Sequence, residues 1–155
     1  MAGRTHRGEG ADGGAAAVEF ALILPMLILM VIGIYEMGKI VYTRSALESA
    51  ARAGTQSGFT DPSDTAAMEA AATAALTASG ITGATVAPPT QICECSNSTV
   101  VNCSTGSCAT GTVRHYVTVT ITKPHTPMLN LTALPFGLGV DFTMTLTGES
   151  VLRAQ

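Results

Sequence analysis

Hydrophobic and polar residues follow three successive regimes along this chain, and each regime predicts a different element. From Phe20 to Tyr35 the sequence reads FALILPMLILMVIGIY without a charge, and Ala15 to Val18 extend the apolar stretch toward the N-terminus with only Glu19 interrupting. As a helix, this run of roughly twenty residues spans about 30 Å of hydrocarbon. Pro25 predicts a bend, tolerated in lipid because neighbouring groups satisfy the freed carbonyl. Past Tyr35 the helix should continue, since Ile40, Ala46, Leu47, Ala50, Ala51 and Ala53 keep one side apolar. Glu36, Lys39, Arg44, Glu48 and Arg52 mark the other side, which reads as a solvated surface, and Gly54 to Gly58 should end the helix. Asp61-Pro62-Ser63-Asp64 then reads as an N-cap, an N1 proline and an acidic first turn. The alanine-rich second helix that follows is terminated by Gly80, with Met68, Ala72, Ala75 and Leu76 as its buried edge.

Beyond Gly80 the period changes to two. Val113, His115, Val117, Val119 and Ile121 alternate with polar residues, as do Val140, Phe142, Met144 and Leu146, so two strands with one buried face each are predicted. A third strand near Ala84 to Cys93 is broken by Pro88-Pro89, which places it at an edge or divides it into two short pieces. Gly148 interrupts the last alternation and reads as a bulge before Val151 and Leu152. The loop from Lys123 to Gly139 carries Leu129, Leu131, Leu134 and Phe136, predicted to cover one end of the sheet. The expected architecture is α+β: a long N-terminal transmembrane helix, a short second helix and a small antiparallel sheet with a disulfide-stapled loop.

Composition sharpens this picture. The chain has 155 residues with Lys+Arg 8 against Asp+Glu 11, a net charge of -3 and only 12% charged residues. Those cations are too few and scattered to track nucleic-acid phosphates, and 5% aromatics without Trp leave no stacking platform. The hydrophobic share of 46% is concentrated in the N-terminal block. A cleaved secretory signal is disfavoured because Tyr35-Glu36-Met37-Gly38-Lys39, rather than a small-x-small site, follows that block. A helix buried in a soluble core is disfavoured because the remaining chain has too few large apolar residues to surround it.

Charge leaves the orientation open, since Arg4 and Arg7 precede the span while Lys39, Arg44 and Arg52 follow it. The cysteines decide better. Cys93, Cys95, Cys103 and Cys108 cluster in a Ser/Thr/Asn/Gly-rich stretch, as in a disulfide-stapled loop of an oxidising compartment, so the C-terminal part is expected outside the cytoplasm. Of the three pairings, a Cys93–Cys95 bridge closes too tight a ring. Nested pairing, Cys93 with Cys108 and Cys95 with Cys103, is slightly preferred over Cys93–Cys103 with Cys95–Cys108. Zinc is the rival reading, but C-x-C followed by C-x4-C lacks the usual knuckle spacing, and no metal is expected.

Catalytic chemistry finds little support. His6 precedes the apolar run, His115 falls on the inward face of a strand, and His125 sits in a proline-rich loop beside no nucleophile motif. There is no phosphate loop, dinucleotide glycine pattern or metalloprotease helix, so neither an enzyme nor a cofactor is expected.

Glu19 is the unexpected residue. An ionised carboxylate inside an apolar run costs about 2 to 3 kcal/mol at depth and less near the interface, so it calls for a partner or for a reach back to the headgroups. Its neighbourhood, Gly13-Gly14-Ala15-Ala16-Ala17-Val18-Glu19-Phe20, has the GxxxxEF pattern and resembles the recognition site of the prepilin peptidase acting on Flp-type pilins. From Gly14 to Gly54, with Pro25 in the apolar helix and Gly33-x-x-Glu36 after it, the chain resembles the TadE-like pseudopilins of the tight-adherence (Tad/Flp) pilus system. The resemblance implies cleavage between Gly14 and Ala15, with residues 1–14 as leader, 15–58 as the TadE-like helix and 59–155 as an extracytoplasmic domain. It further implies a single-pass protein of the bacterial inner membrane that helps assemble an adhesive pilus. Its implied partners are the prepilin peptidase, other Flp/Tad pilin and pseudopilin subunits, inner-membrane assembly machinery and the lipid bilayer. After cleavage, the Ala15 amine of one subunit could pair with the Glu19 carboxylate of another, pinning the register of packed helices.

Overall fold

A computed structural model describes residues 12–128 and 143–154, and it contains two helices and five strands among them. The chain forms two compact units, Met1–Gly38 and Lys39–Gln155. In the first unit the described residues belong to helix α1 (Asp12–Ser57), whose assignment runs unbroken through Pro25 and onward into the second unit. Val18, Phe20, Leu22, Met26 and Val31 are all more than half exposed, on a helix long and apolar enough to cross a membrane.

The second unit packs the remainder of α1 and helix α2 (Thr65–Ala78) on an antiparallel sheet. The sheet consists of β1 (Thr85–Val86), β2 (Thr90–Glu94), β3 (Val100–Val101), β4 (Arg114–His125) and β5 (Met144–Ala154). Strand β4 is central. It pairs with β5 from His115↔Ala154 to His125↔Met144, while its other edge carries β2 at residues 114–118 and β1 at residues 121–122, with β3 beyond β2. The strand near Ala84 to Cys93 is thus two short pieces flanking Pro88-Pro89, and β2 extends to Glu94.

Alternation along β4 produces the core. Val117, Val119 and Ile121 are buried in a cluster with Leu47, Ala50 and Ala51 of α1, Met68, Ala72 and Leu76 of α2, and Leu146 of β5. Each of these larger side chains contributes about 1.5–3 kcal/mol by leaving water. The inward face of α1 runs Thr43, Ala46, Leu47, Ala50, Ala51, Gly54, Thr55, and it includes two threonines that hydrophobic periodicity alone passes over. Thr55 Oγ1 donates to Arg52 O at 3.1 Å and stands 3.1 Å from Ser150 Oγ on β5, so its hydroxyl is satisfied inside the layer. Arg44 and Glu48 pair at 3.3 Å on the exposed face of α1 and are worth little there.

Several expectations are corrected. Asp64, not Asp61, caps α2: its carboxylate accepts from Ala67 N at 2.9 Å, and the helix begins at Thr65. Asp61 instead closes a turn on Ser63, because Pro62 and Ser63 are spent in the approach to the helix rather than in its first turn. Gly80 ends α2 as anticipated, at φ 68°, with Gly80 N–H donating to Thr77 O and Ile81 N–H to Leu76 O. Asp64→Ala should lower stability by about 1 kcal/mol in chemical denaturation, while Asp61→Ala leaves the cap intact.

Gly148 forms no bulge. The register passes evenly through Ile121↔Gly148, and the glycine is needed because a Cβ there would lie 2.5 Å from the Leu47 carbonyl carbon and 2.6 Å from Glu48 N. Helix and sheet backbones approach too closely at this point for any side chain. Met144 begins β5 but is 43% exposed, so its place on the buried face is not realised. His125 is the last residue of β4 and is buried, not part of a loop, because the strand continues through Pro124. Beyond β1, only β5 flanks β4 among the described residues, and a proline costs little in such an edge position. The predicted contributions of Leu129, Leu131, Leu134, Phe136, Val140 and Phe142 lie outside the described residues.

Candidate functional site

Two places carry the residues singled out by the sequence. The first is the start of α1. Gly14 and Ala15 both lie within α1, and a Cβ built on Gly14 would meet nothing within 4 Å. Residues 1–11 of the expected leader lie outside the described residues. Ala15, Glu19 and Phe20 are all exposed, and Phe20 is 58% accessible. Among the described residues, no hydrogen bond or ion pair engages the Glu19 carboxylate, which stands one helical turn from Ala15.

The second place is the stapled loop. Cys93 bonds Cys103 and Cys95 bonds Cys108, so the slightly preferred nested pairing is corrected to its alternative. Chain direction explains the outcome. β3 runs antiparallel to β2 with Cys93 opposite Val101, so the chain leaving β3 passes Cys93 and brings Cys103 to it at a Cα–Cα distance of 5.1 Å. The turn that follows is held by Gly106 N–H donating to Asn102 O at 2.8 Å and by Ser104 N–H donating to Asn102 Oδ1 at 2.9 Å. It reverses the chain and returns Cys108 to Cys95, with Cα atoms 5.6 Å apart. Each bridge should add about 2–4 kcal/mol by restricting the unfolded chain.

Alkylation of unreduced protein should label no cysteine. In Cys93→Ala, Cys103 should become reactive while Cys95 and Cys108 stay protected; the nested pairing would expose Cys108 instead. Mass spectrometry of the alkylated peptides distinguishes the two.

Beside the staple lies an open cleft of about 340 Å³ lined by Asp61, Pro62, Ser63, Gln91, Cys103, Ser104 and His115. Gln91 Nε2 donates to Pro62 O, tying β2 to the approach of α2. Asp61 Oδ1 accepts from Ser63 Oγ at 2.6 Å and Ser63 N at 2.9 Å, which holds its carboxyl below the ordinary value of 3.8. A depressed carboxyl pKa stabilises the folded turn at neutral pH, and that contribution is lost as pH falls through the lowered value. Opposite Cys93 in the β2–β4 register stands His115, its Nδ1 3.2 Å from Cys93 Sγ. No sequence spacing foretold this neighbour, because the two residues meet only through strand pairing.

Together these features define a class: a small α+β module joined to a helix long and apolar enough to cross a membrane. Residues 14–56 match the family model described as TadE-like protein, the family this segment resembled from its motifs. In general terms, this match associates the chain with the Tad pilus and with other components of that system. No curated protein and no solved structure matches the chain.

Proposed function

We propose that this protein is a minor pseudopilin or assembly component of a bacterial Flp/Tad-type pilus, acting in adhesion through structure and interaction rather than catalysis. The observation that carries the reading is the TadE-like match, which begins at Gly14, the residue preceding the proposed scissile bond, and includes Glu19 and the whole apolar run. The prepilin peptidase cuts between Gly14 and Ala15 at the cytoplasmic face of the inner membrane. The mature chain keeps a single span with its N-terminus inside and the stapled module outside, where its disulfides are stable.

Cleavage has an electrostatic consequence. It creates an ammonium group at Ala15 one turn from Glu19, and both are exposed on a helix destined for low dielectric. When helices pack in an assembly, an arrangement that joins the amine of one subunit to the carboxylate of the next avoids burying either charge alone. The carboxylate thus selects register.

Mass spectrometry of the N-terminus of protein isolated from membranes tests the reading. A chain beginning at Ala15 is expected. A chain that retains its native start overturns it in favour of a single-pass binding module that keeps its anchor and does not polymerise.

A further inference from the structure

The stapled loop holds a second chemistry that its disulfides conceal. Cys93 Sγ, Cys103 Sγ and a ring nitrogen of His115 all lie within 4.8 Å of one another. Ligand atoms around a tetrahedral zinc ion, with Zn–S bonds of about 2.3 Å and Zn–N bonds of about 2.0–2.1 Å, stand about 3.3–3.8 Å apart. The 3.2 Å contact between Cys93 Sγ and His115 Nδ1 is already close to that spacing. We propose that Cys93, Cys103 and His115 form a zinc site when the Cys93–Cys103 bond is reduced, so that the loop is held either by a disulfide or by a metal ion.

Two of the three ligands are fixed by secondary structure. Cys93 and His115 are directly opposite each other on β2 and β4, and Cys93 is 1% exposed, so the sheet presets them before any ion arrives. Cys103 is the adjustable member. It lies in the turn after β3, half-buried, and after reduction its sulfur must stand about 3.7 Å from Cys93 Sγ for both to bind one zinc ion. The fourth position is left to a water, which the open cleft lined by Cys103 and His115 would admit.

The chemistry balances. A dithiol reductant transfers two electrons and two protons to the Cys93–Cys103 bond, which opens to two thiols while the reductant becomes its own disulfide. Zinc then displaces both thiol protons and binds the thiolates and the imidazole, so affinity rises with pH and metal uptake releases protons. The Cys95–Cys108 bridge takes no part. The β2–β3 pairing and the turn closed by Gly106 N–H on Asn102 O keep Cys103 near its partners without it.

The test uses the full chain in detergent micelles, reduced, freed of reductant under inert gas and titrated with zinc against a chromophoric chelator. A Cys95→Ser/Cys108→Ser variant should take up one zinc ion per chain when reduced and none when oxidised. Adding His115→Ala should weaken uptake by at least about tenfold, the loss that even partners outside the metal's own ligand set produce. With cobalt in place of zinc, the visible bands of a tetrahedral thiolate site should appear and should change on His115→Ala. In the reduced wild-type chain, zinc should protect Cys93 and Cys103 from alkylation ahead of Cys95 and Cys108. Absence of uptake, uptake indifferent to His115→Ala, or preferential protection of Cys95 and Cys108 overturns the proposal.

Discussion

Gly148→Val is expected to destabilise the C-terminal unit by about 3 kcal/mol, the upper part of the range for overpacking a core. The predicted obstacle is backbone: a Cβ at this position meets the Leu47 carbonyl carbon at 2.5 Å and Glu48 N at 2.6 Å, and neither can rotate away. Relief requires α1 to lift from β5, which would open the contacts of Leu47, Ala50 and Ala51 with Val117, Val119 and Ile121. Thr147→Val, on the next residue but facing outward, should change stability by less than about 0.5 kcal/mol. Denaturant titration followed by far-UV circular dichroism compares the two. A Gly148→Val chain with the parental midpoint would mean that helix and sheet do not approach as described.

Gly14→Leu and Glu19→Gln should fail at different steps, the second large effect. Gly14 flanks the proposed scissile bond, and a branched side chain there occupies space that an extended backbone needs in a peptidase cleft. Unprocessed precursor should accumulate with little mature protein. Glu19→Gln keeps the shape of the side chain but removes its charge, so the chain should still be cut to a substantial degree while failing to support pilus assembly. Immunoblotting for the two chain lengths, together with a count of surface pili, separates the steps. Mature protein at normal levels from Gly14→Leu would remove the peptidase from the account. Normal piliation with Glu19→Gln would remove the charge pairing alone.

These two predictions draw on different kinds of information. The Gly14–Glu19 argument needs only local sequence, because a small residue, an acidic residue five positions later and an uninterrupted apolar run act through neighbours in the chain. The Gly148 argument needs the tertiary structure. In sequence a glycine within an alternating run reads equally well as a bulge, and only the approach of α1 distinguishes a broken ladder from a continuous strand pressed against a helix.

The same division runs through the molecule. Periodicity was sufficient for α1, α2, the inward residues of β4 and the break at Pro88-Pro89, since each depends on the pitch of a helix, the pleat of a strand or the fixed φ of proline. Clustered cysteines announced a staple for a similar reason: four thiols in a short polar stretch have few other uses. Sequence alone left the partner choice among those cysteines open, because loop closure differs little between ring sizes as similar as these. It was decided by the direction of β3, which carries the chain past Cys93 and delivers Cys103 there first. Asp64 took the cap from Asp61 for an equally spatial reason, the turn that Pro62 and Ser63 make before the helix starts. His115 met Cys93 through a register spanning 22 positions of sequence, a distance over which no local pattern carries information. Short-range chemistry was therefore legible in the chain, whereas every contact made between elements waited for the packing that brought their backbones together.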